Sequence, residues 1–229
     1  MLKVNEKGEY KKFYGWSCIA MVSNNLEDIE RFIRNNSVLS NYIAVLPASS
    51  YHMTVYNIWC NGSYLLEHQE RNLKRICKTI EEMNDLLDES LVIGKGYFNP
   101  DGCIDELLYK LDFECEECEW GDVSFKINKV IYNGNTMRIS LGYMREFDSV
   151  NKLRTRMIGV CERNDGMGEY HITLGYTYRE VSREIVNKIR EAVNVLNELL
   201  VGKMVVLSKA GVYCFSDMTL FRPFRESLM

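Results

Sequence analysis

YHMTVYNIW, residues 51–59, is echoed by YHITLGYTY, residues 170–178. The chain has three histidines in 229 residues, and two of them hold the same place in these two stretches. Both stretches are rich in β-branched and aromatic residues, which predicts strands. Alternate side chains of a strand share a face, so His52, Thr54 and Tyr56 are expected on one face and Tyr51, Met53 and Val55 on the other. By the same rule His171, Thr173 and Gly175 share a face, and Tyr176 points away from His171. In each stretch an imidazole and a hydroxyl therefore stand side by side, about 6–7 Å apart along the strand.

The flanking sequence extends the pattern. FYGWSCIAMV (13–22) reads as a buried strand. NNLEDIERFI (24–33) reads as a helix with Asn24 or Asn25 as its N-cap and Leu26, Ile29, Phe32 and Ile33 at helical spacing. YIAVLP is a short strand stopped by Pro47. A helix is expected over about residues 67–87 and a strand over LVIGKGYF (91–98). VSFKINKVIY and TMRISLGYM, separated by NGN, read as a hairpin. A helix around Ser149 to Val160 precedes the second motif strand. Ser182 then caps another helix, and the chain closes with two strands around Gly211.

Each motif strand thus leads into a long amphipathic helix and then a strand, and the motif histidines lie 119 residues apart, half the chain. This order predicts an α+β fold over residues 1–229, bilobal, with two pseudo-symmetric lobes. One acidic segment, about residues 99–122, interrupts it and is expected to be an inserted edge element or a cover over one lobe. That segment contains Cys115-x-x-Cys118, but a zinc site commonly takes two such pairs. The second is missing, and no metal is expected.

Composition narrows the function classes. The hydrophobic share of 46% and charged share of 26% are those of an ordinary globular chain. No run approaches the ~20 apolar residues of a membrane helix. The opening MLKVNEKGEYKK is polar and lacks the apolar core of a secretory signal. The expected location is the cytoplasm, with the eight cysteines as free thiols. A net charge of −4 argues against a broad basic face for long duplex nucleic acid, whose binding relies on neutralising many phosphates. It leaves room for a small anion in a local pocket.

Two imidazoles and two hydroxyls facing one another suit cleavage of a phosphodiester without metal or other cofactor. One histidine takes a proton from the nucleophile and the other gives one to the leaving oxygen. The threonines donate to non-bridging oxygens, where charge builds up. The competing reading is two satisfied histidines in a packed core. His68, without a hydroxyl two residues on, reads as a surface residue. There is no Gly-rich phosphate loop and no His-Glu-x-x-His.

HMT at 52–54 and HIT at 171–173, each on a strand and half a chain apart, resemble the paired motifs of the two-histidine (2H) phosphoesterase superfamily, the LigT-like and cyclic-phosphodiesterase group. LPASSYHMTVY and EYHITLGY are similar to a poorly characterised bacterial and viral branch of it. The resemblance implies two lobes with antiparallel sheets lining a central cleft and helices outside. It implies acid–base roles for His52 and His171 and phosphate binding by Thr54 and Thr173. It also implies a small nucleotide or short oligonucleotide substrate with a 2′,3′-cyclic, 2′–5′ or cyclic-oligonucleotide linkage. Tyr56 and Tyr176 are the candidates for a stacking aromatic, and Arg138, Arg145 and Arg179 for an additional basic residue. An RNA end-processing or ligase-like enzyme, or a nucleotide- or RNA-binding module without chemistry, are the alternatives on the same fold.

Overall fold

In the computed structural model the described residues are 3–13, 15–60, 103–120, 123–142, 147–161 and 169–225. They form a mixed fold of a curled antiparallel sheet and five helices. The strands are β1 (Gly15–Met21), β2 (Ile43–Val45), β3 (His52–Cys60), β4 (Val123–Tyr132), β5 (Thr136–Leu141), β6 (His171–Thr177), β7 (Met204–Leu207), β8 (Gly211–Asp217) and β9 (Leu220–Pro223). The helices are α1 (Glu27–Asn35), α2 (Leu39–Tyr42), α3 (Cys103–Glu117), α4 (Phe147–Cys161) and α5 (Arg183–Leu200). The strand order is β7-β4-β5-β6-β3-β1-β8-β9, with β2 paired to β6 beside β3. At one corner the sheet curls back on itself. Val22, just past β1, bridges Leu207 of β7, and the Ser208 N–H donates to the Met21 carbonyl at 2.8 Å.

Local chemistry accounts for the elements. Gly134 takes φ 93° in the β4–β5 turn, which favours glycine. Asn133 Oδ1 accepts from the N–H groups of Asn135 and Thr136 and tightens that turn. Ser182 caps α5, its Oγ accepting from Ile185 N–H at 3.3 Å. Ile189, Ala192, Val193, Leu196 and Leu200 form the buried stripe of α5. On the same helix the Asn197 amide bonds both the N–H (2.6 Å) and the C=O (3.1 Å) of Val130. It thereby satisfies β4 beyond the residues that pair with β7.

Three expectations change. The N-cap of α1 is Leu26, and Asn25 serves from one residue earlier, its Oδ1 accepting from Glu27 N–H at 2.7 Å. The chain closes with three strands where two were expected: β7 pairs with β4, β8 with β1, and β9 with β8. Of the two readings of the acidic segment, an edge element or a cover, its described part does not add a strand to the sheet edge. Its described part is α3, which buries Leu108, Leu111 and Cys115 and sets the Cys115 thiol 3.5 Å from that of Cys18 in β1. Asp112 is buried and paired with Arg225, and the other described charges of the helix lie outside the core because its apolar positions recur at helical spacing. The expected helix over 67–87, the strand over 91–98, His68 and Arg145 lie outside the described residues. No helix among the described residues is long and apolar enough to cross a membrane.

Candidate active site

The two motif strands are neighbours in one antiparallel sheet, and they meet at Met53 opposite Ile172. Those two side chains are fully buried. The residues on either side of them, His52 and Thr54 on β3 and His171 and Thr173 on β6, therefore share the other face. Carrying the register one residue each way sets His52 opposite Thr173 and Thr54 opposite His171. The imidazoles then occupy one diagonal of a square and the hydroxyls the other, with diagonal neighbours about 7–8 Å apart.

Both rings are held alike. His52 Nδ1 lies 2.7 Å from the carbonyl of Ser50, and His171 Nδ1 lies 3.0 Å from the carbonyl of Glu169. A carbonyl only accepts, so each Nδ1 carries the proton. The lone pair of each neutral ring is then on Nε2, the atom available to a ligand. The settings differ in burial. His52 is 9% exposed, with the Phe221 ring 4.3 Å from its own, while His171 is half-buried. Burial, reinforced by repulsion from Lys3 and His171 and opposed by the Ser50 carbonyl, lowers the His52 pKa to about 4. Burial also lowers that of His171, with Arg138 and Lys3 acting in the same direction and the Glu169 carbonyl against it.

The low His52 value has a consequence for stability. Between about pH 6.5 and 4 the unfolded chain binds a proton at His52 that the folded chain refuses. Stability is therefore fully present above pH 6.5 and falls with pH across that window. The loss approaches about 3 kcal/mol at its lower end. His52→Asn keeps a donor for the Ser50 carbonyl without a titrating ring, so its denaturation midpoint should fall less steeply between pH 7 and 4.5. Parallel curves for the two proteins would refute the burial assigned to His52.

Two β-bulges decide which other side chains join the site. On β3, Thr54 pairs with Ile19 but Tyr56 with Cys18, so Val55 is an extra residue. The alternation reverses there, and Tyr56, expected beside Thr54, turns to the opposite face and is fully buried. The Arg154 Nε of α4 donates to the freed Val55 carbonyl at 2.8 Å. On β6, Thr173 pairs with Arg138 but Gly175 with Met137, so Leu174 is extra. Tyr176, expected to face away, therefore follows Thr173 on the histidine face, where its hydroxyl lies 3.3 Å from Lys3 Nζ. The two stacking candidates exchange places.

Pairing of β5 with β6 sets Arg138 opposite Thr173 and Ser140 opposite His171. Arg138 Nε is buried without a hydrogen-bond partner. Arg179 is elsewhere. It is exposed, 5.0 Å from the Tyr178 ring, on a hollow of about 800 Å³ that it lines with Glu6, Asn135 and Glu180. Lys3, Ser140 and Phe221 were not singled out from the sequence. Arg138 and Ser140 had a signal, polar residues at alternate positions of β5 with apolar Met137, Ile139 and Leu141 between and around them. Lys3 and Phe221 had none, because they arrive from remote parts of the chain.

The assembled face offers two Nε2 atoms, two threonine hydroxyls, a guanidinium and an ammonium. Such a set can hold an oxyanion and pass protons to and from it. Among the described residues no group of three or more His, Cys, Asp or Glu side chains could hold a metal ion.

No protein-family model matches the chain. The chain is similar to uncharacterized protein 127L of Invertebrate iridescent virus 6, at 25% identity over 241 aligned residues that cover 96% of this chain and 93% of that protein. Its fold is similar to the crystal structure of a conserved protein of unknown function, ATU0111, from Agrobacterium tumefaciens strain C58. That likeness has a TM-score of 0.63 at 14% identity and covers 97% of this chain and 89% of the other.

Proposed function

We propose that the protein is a metal-independent phosphodiesterase of the two-histidine kind, hydrolysing a nucleotide or short oligonucleotide. The observation that carries this reading is the Met53–Ile172 pairing, with His52 and Thr54 on one side of it and His171 and Thr173 on the other. A phosphate centred over that pair meets hydroxyls on one diagonal and imidazoles on the other. The hydroxyls and Arg138 bind the non-bridging oxygens, and the imidazoles reach the entering and leaving oxygens on opposite sides of phosphorus. His52, neutral down to about pH 4, is the base that takes a proton from the attacking water. His171, less enclosed, enters protonated and gives its proton to the departing ribose oxygen. One P–O bond forms, one breaks, and the two imidazoles exchange protonation states, to be reset through solvent.

Tyr176 is the stacking candidate that remains, since Tyr56 lies on the other face. The strand order, four strands on either side of the β3–β6 junction, fits two lobes related by a pseudo-twofold axis through Met53 and Ile172. The free thiols, with Cys18 and Cys115 unjoined at 3.5 Å, fit a reducing cytoplasm.

The test is turnover of a panel of 2′,3′-cyclic, 2′–5′-linked and cyclic oligonucleotides in excess EDTA. At least one should be hydrolysed at an undiminished rate. Activity that chelator abolishes and added metal restores would end the two-histidine assignment.

A further inference from the structure

Lys3 is a charged group on the histidine face that hydrolysis of a lone phosphodiester leaves without work. Its ammonium lies 3.3 Å from the Tyr176 hydroxyl and 3.4 Å from Met218 Sδ. It sits 4.2 Å from the centroid of the Phe13 ring and 5.1 Å from that of Tyr176. None of these groups carries negative charge, and among the described residues no carboxylate pairs with Lys3. A half-buried ammonium without a counter-charge is costly to keep.

The arm that delivers it is well built. Val4 is fully buried and bridges Tyr10. The Lys11 N–H donates to the Lys3 carbonyl at 2.9 Å, and Asn5 Oδ1 accepts from the N–H groups of Lys7 and Glu9. The Tyr10 hydroxyl donates to the Ala44 carbonyl on β2 at 2.7 Å. The cost of ordering this lysine is thus met within the fold before any ligand arrives.

Its place relative to the catalytic square follows from the β6 bulge. Tyr176 is the next residue after Thr173 on the histidine face, and Lys3 stands at its hydroxyl. A single phosphodiester carries one negative charge, which Arg138 beside Thr173 already offsets. We propose that Lys3 binds a second phosphate, so that the substrate carries another phosphate next to the scissile one, as a nucleotide with a neighbouring terminal phosphate does. This inference rests on the phosphodiesterase reading and narrows its substrate class.

Calorimetric titration of the full chain with inorganic phosphate and with pyrophosphate tests it without requiring turnover. The wild-type protein should bind pyrophosphate about tenfold more tightly than phosphate, or better, as a charged hydrogen bond allows. Lys3→Met should abolish that preference and Lys3→Arg should keep it. The imidazole titrations of His52 and His171, followed by NMR, should move upward in Lys3→Met, because a nearby positive charge has been removed. Absence of pyrophosphate binding, a preference that survives Lys3→Met, or an equal loss for both anions would overturn the second-phosphate site, as would unmoved imidazole titrations. If the preference behaves as expected but no diester is hydrolysed, the anion site stands and the phosphodiesterase reading fails.

Discussion

Replacing either His52 or His171 with alanine should lower kcat about 10²–10⁴-fold, the usual worth of a positioned acid or base. The double variant should lose far less than the product of the two, since in the proposed mechanism the imidazoles act on one phosphate as a unit. The two single variants should also differ in their pH profiles. The proposed mechanism requires His52 neutral and His171 protonated, and the pKa values of both rings lie below the ordinary histidine value. The bell in kcat/KM should therefore be displaced to the acid side of about 6.5, with its limbs belonging to the coupled pair. His52→Ala should remove the limb on the acid side, where the base becomes protonated. His171→Ala should remove the limb on the alkaline side, where the acid loses its proton. The opposite pattern would reverse the roles, and full activity in either variant would dissolve the site. Buried His52 leaves a small void under Phe221 when truncated, so the variants need a folding control. Retained cooperative unfolding near the wild-type midpoint is sufficient.

The part of the site legible in the sequence is the part that depends on one strand at a time. His-x-Thr needs only period-two alternation to place a ring and a hydroxyl on one face, and it does so at 52–54 and at 171–173. The Gly134 turn and the Ser182 cap were readable for the same reason, since each is settled within four or five residues. What could not be read depends on partners. Whether Val55 or Leu174 bulges is decided by which residues of β1 and β5 stand opposite, and each bulge inverts the facing of the residues that follow it, up to the next irregularity. Tyr56 and Tyr176 were therefore both assigned to the wrong face by a rule that held up to the residue before the bulge. Lys3 and Phe221 belong to the first and last parts of the described chain, and only the curl of the sheet brings both to the histidine face.

Gly175→Ala should be among the most damaging single-methyl additions in the protein, and it should damage function together with stability. A Cβ built at Gly175 would lie 2.5 Å from the Ala44 carbonyl oxygen, 2.8 Å from Ile43 Cγ2 and 3.1 Å from Val45 Cα. Two of those atoms are backbone of β2, paired to β6 through Ile43–Thr177, Ala44–Tyr176 and Val45–Gly175, so no side-chain rotation relieves the clash. Either β2 separates from β6 or the bulge is redrawn. Overpacking of this kind costs about 1–3 kcal/mol, and a chain of this size should lose about 2–4 °C of Tm for each kcal/mol. The functional loss follows from the next residue. Tyr176 reaches the histidine face only because Thr173, Leu174 and Gly175 stand opposite Arg138 and Met137 alone, one residue in excess. A redrawn bulge would withdraw its hydroxyl from Lys3 and disturb Thr173. kcat/KM should fall in Gly175→Ala even at temperatures where the variant is fully folded. Gly159 is the matched control, being exposed within α4 with nothing within 4 Å of an added Cβ. Gly159→Ala should raise stability by about 0.5–1 kcal/mol, the helical difference between the two residues, and leave turnover alone. If the two alanine variants proved equally stable, the close approach of β2 to β6 at Gly175 would be wrong. If Gly175→Ala were destabilised yet fully active when folded, Tyr176 would have no part in binding substrate.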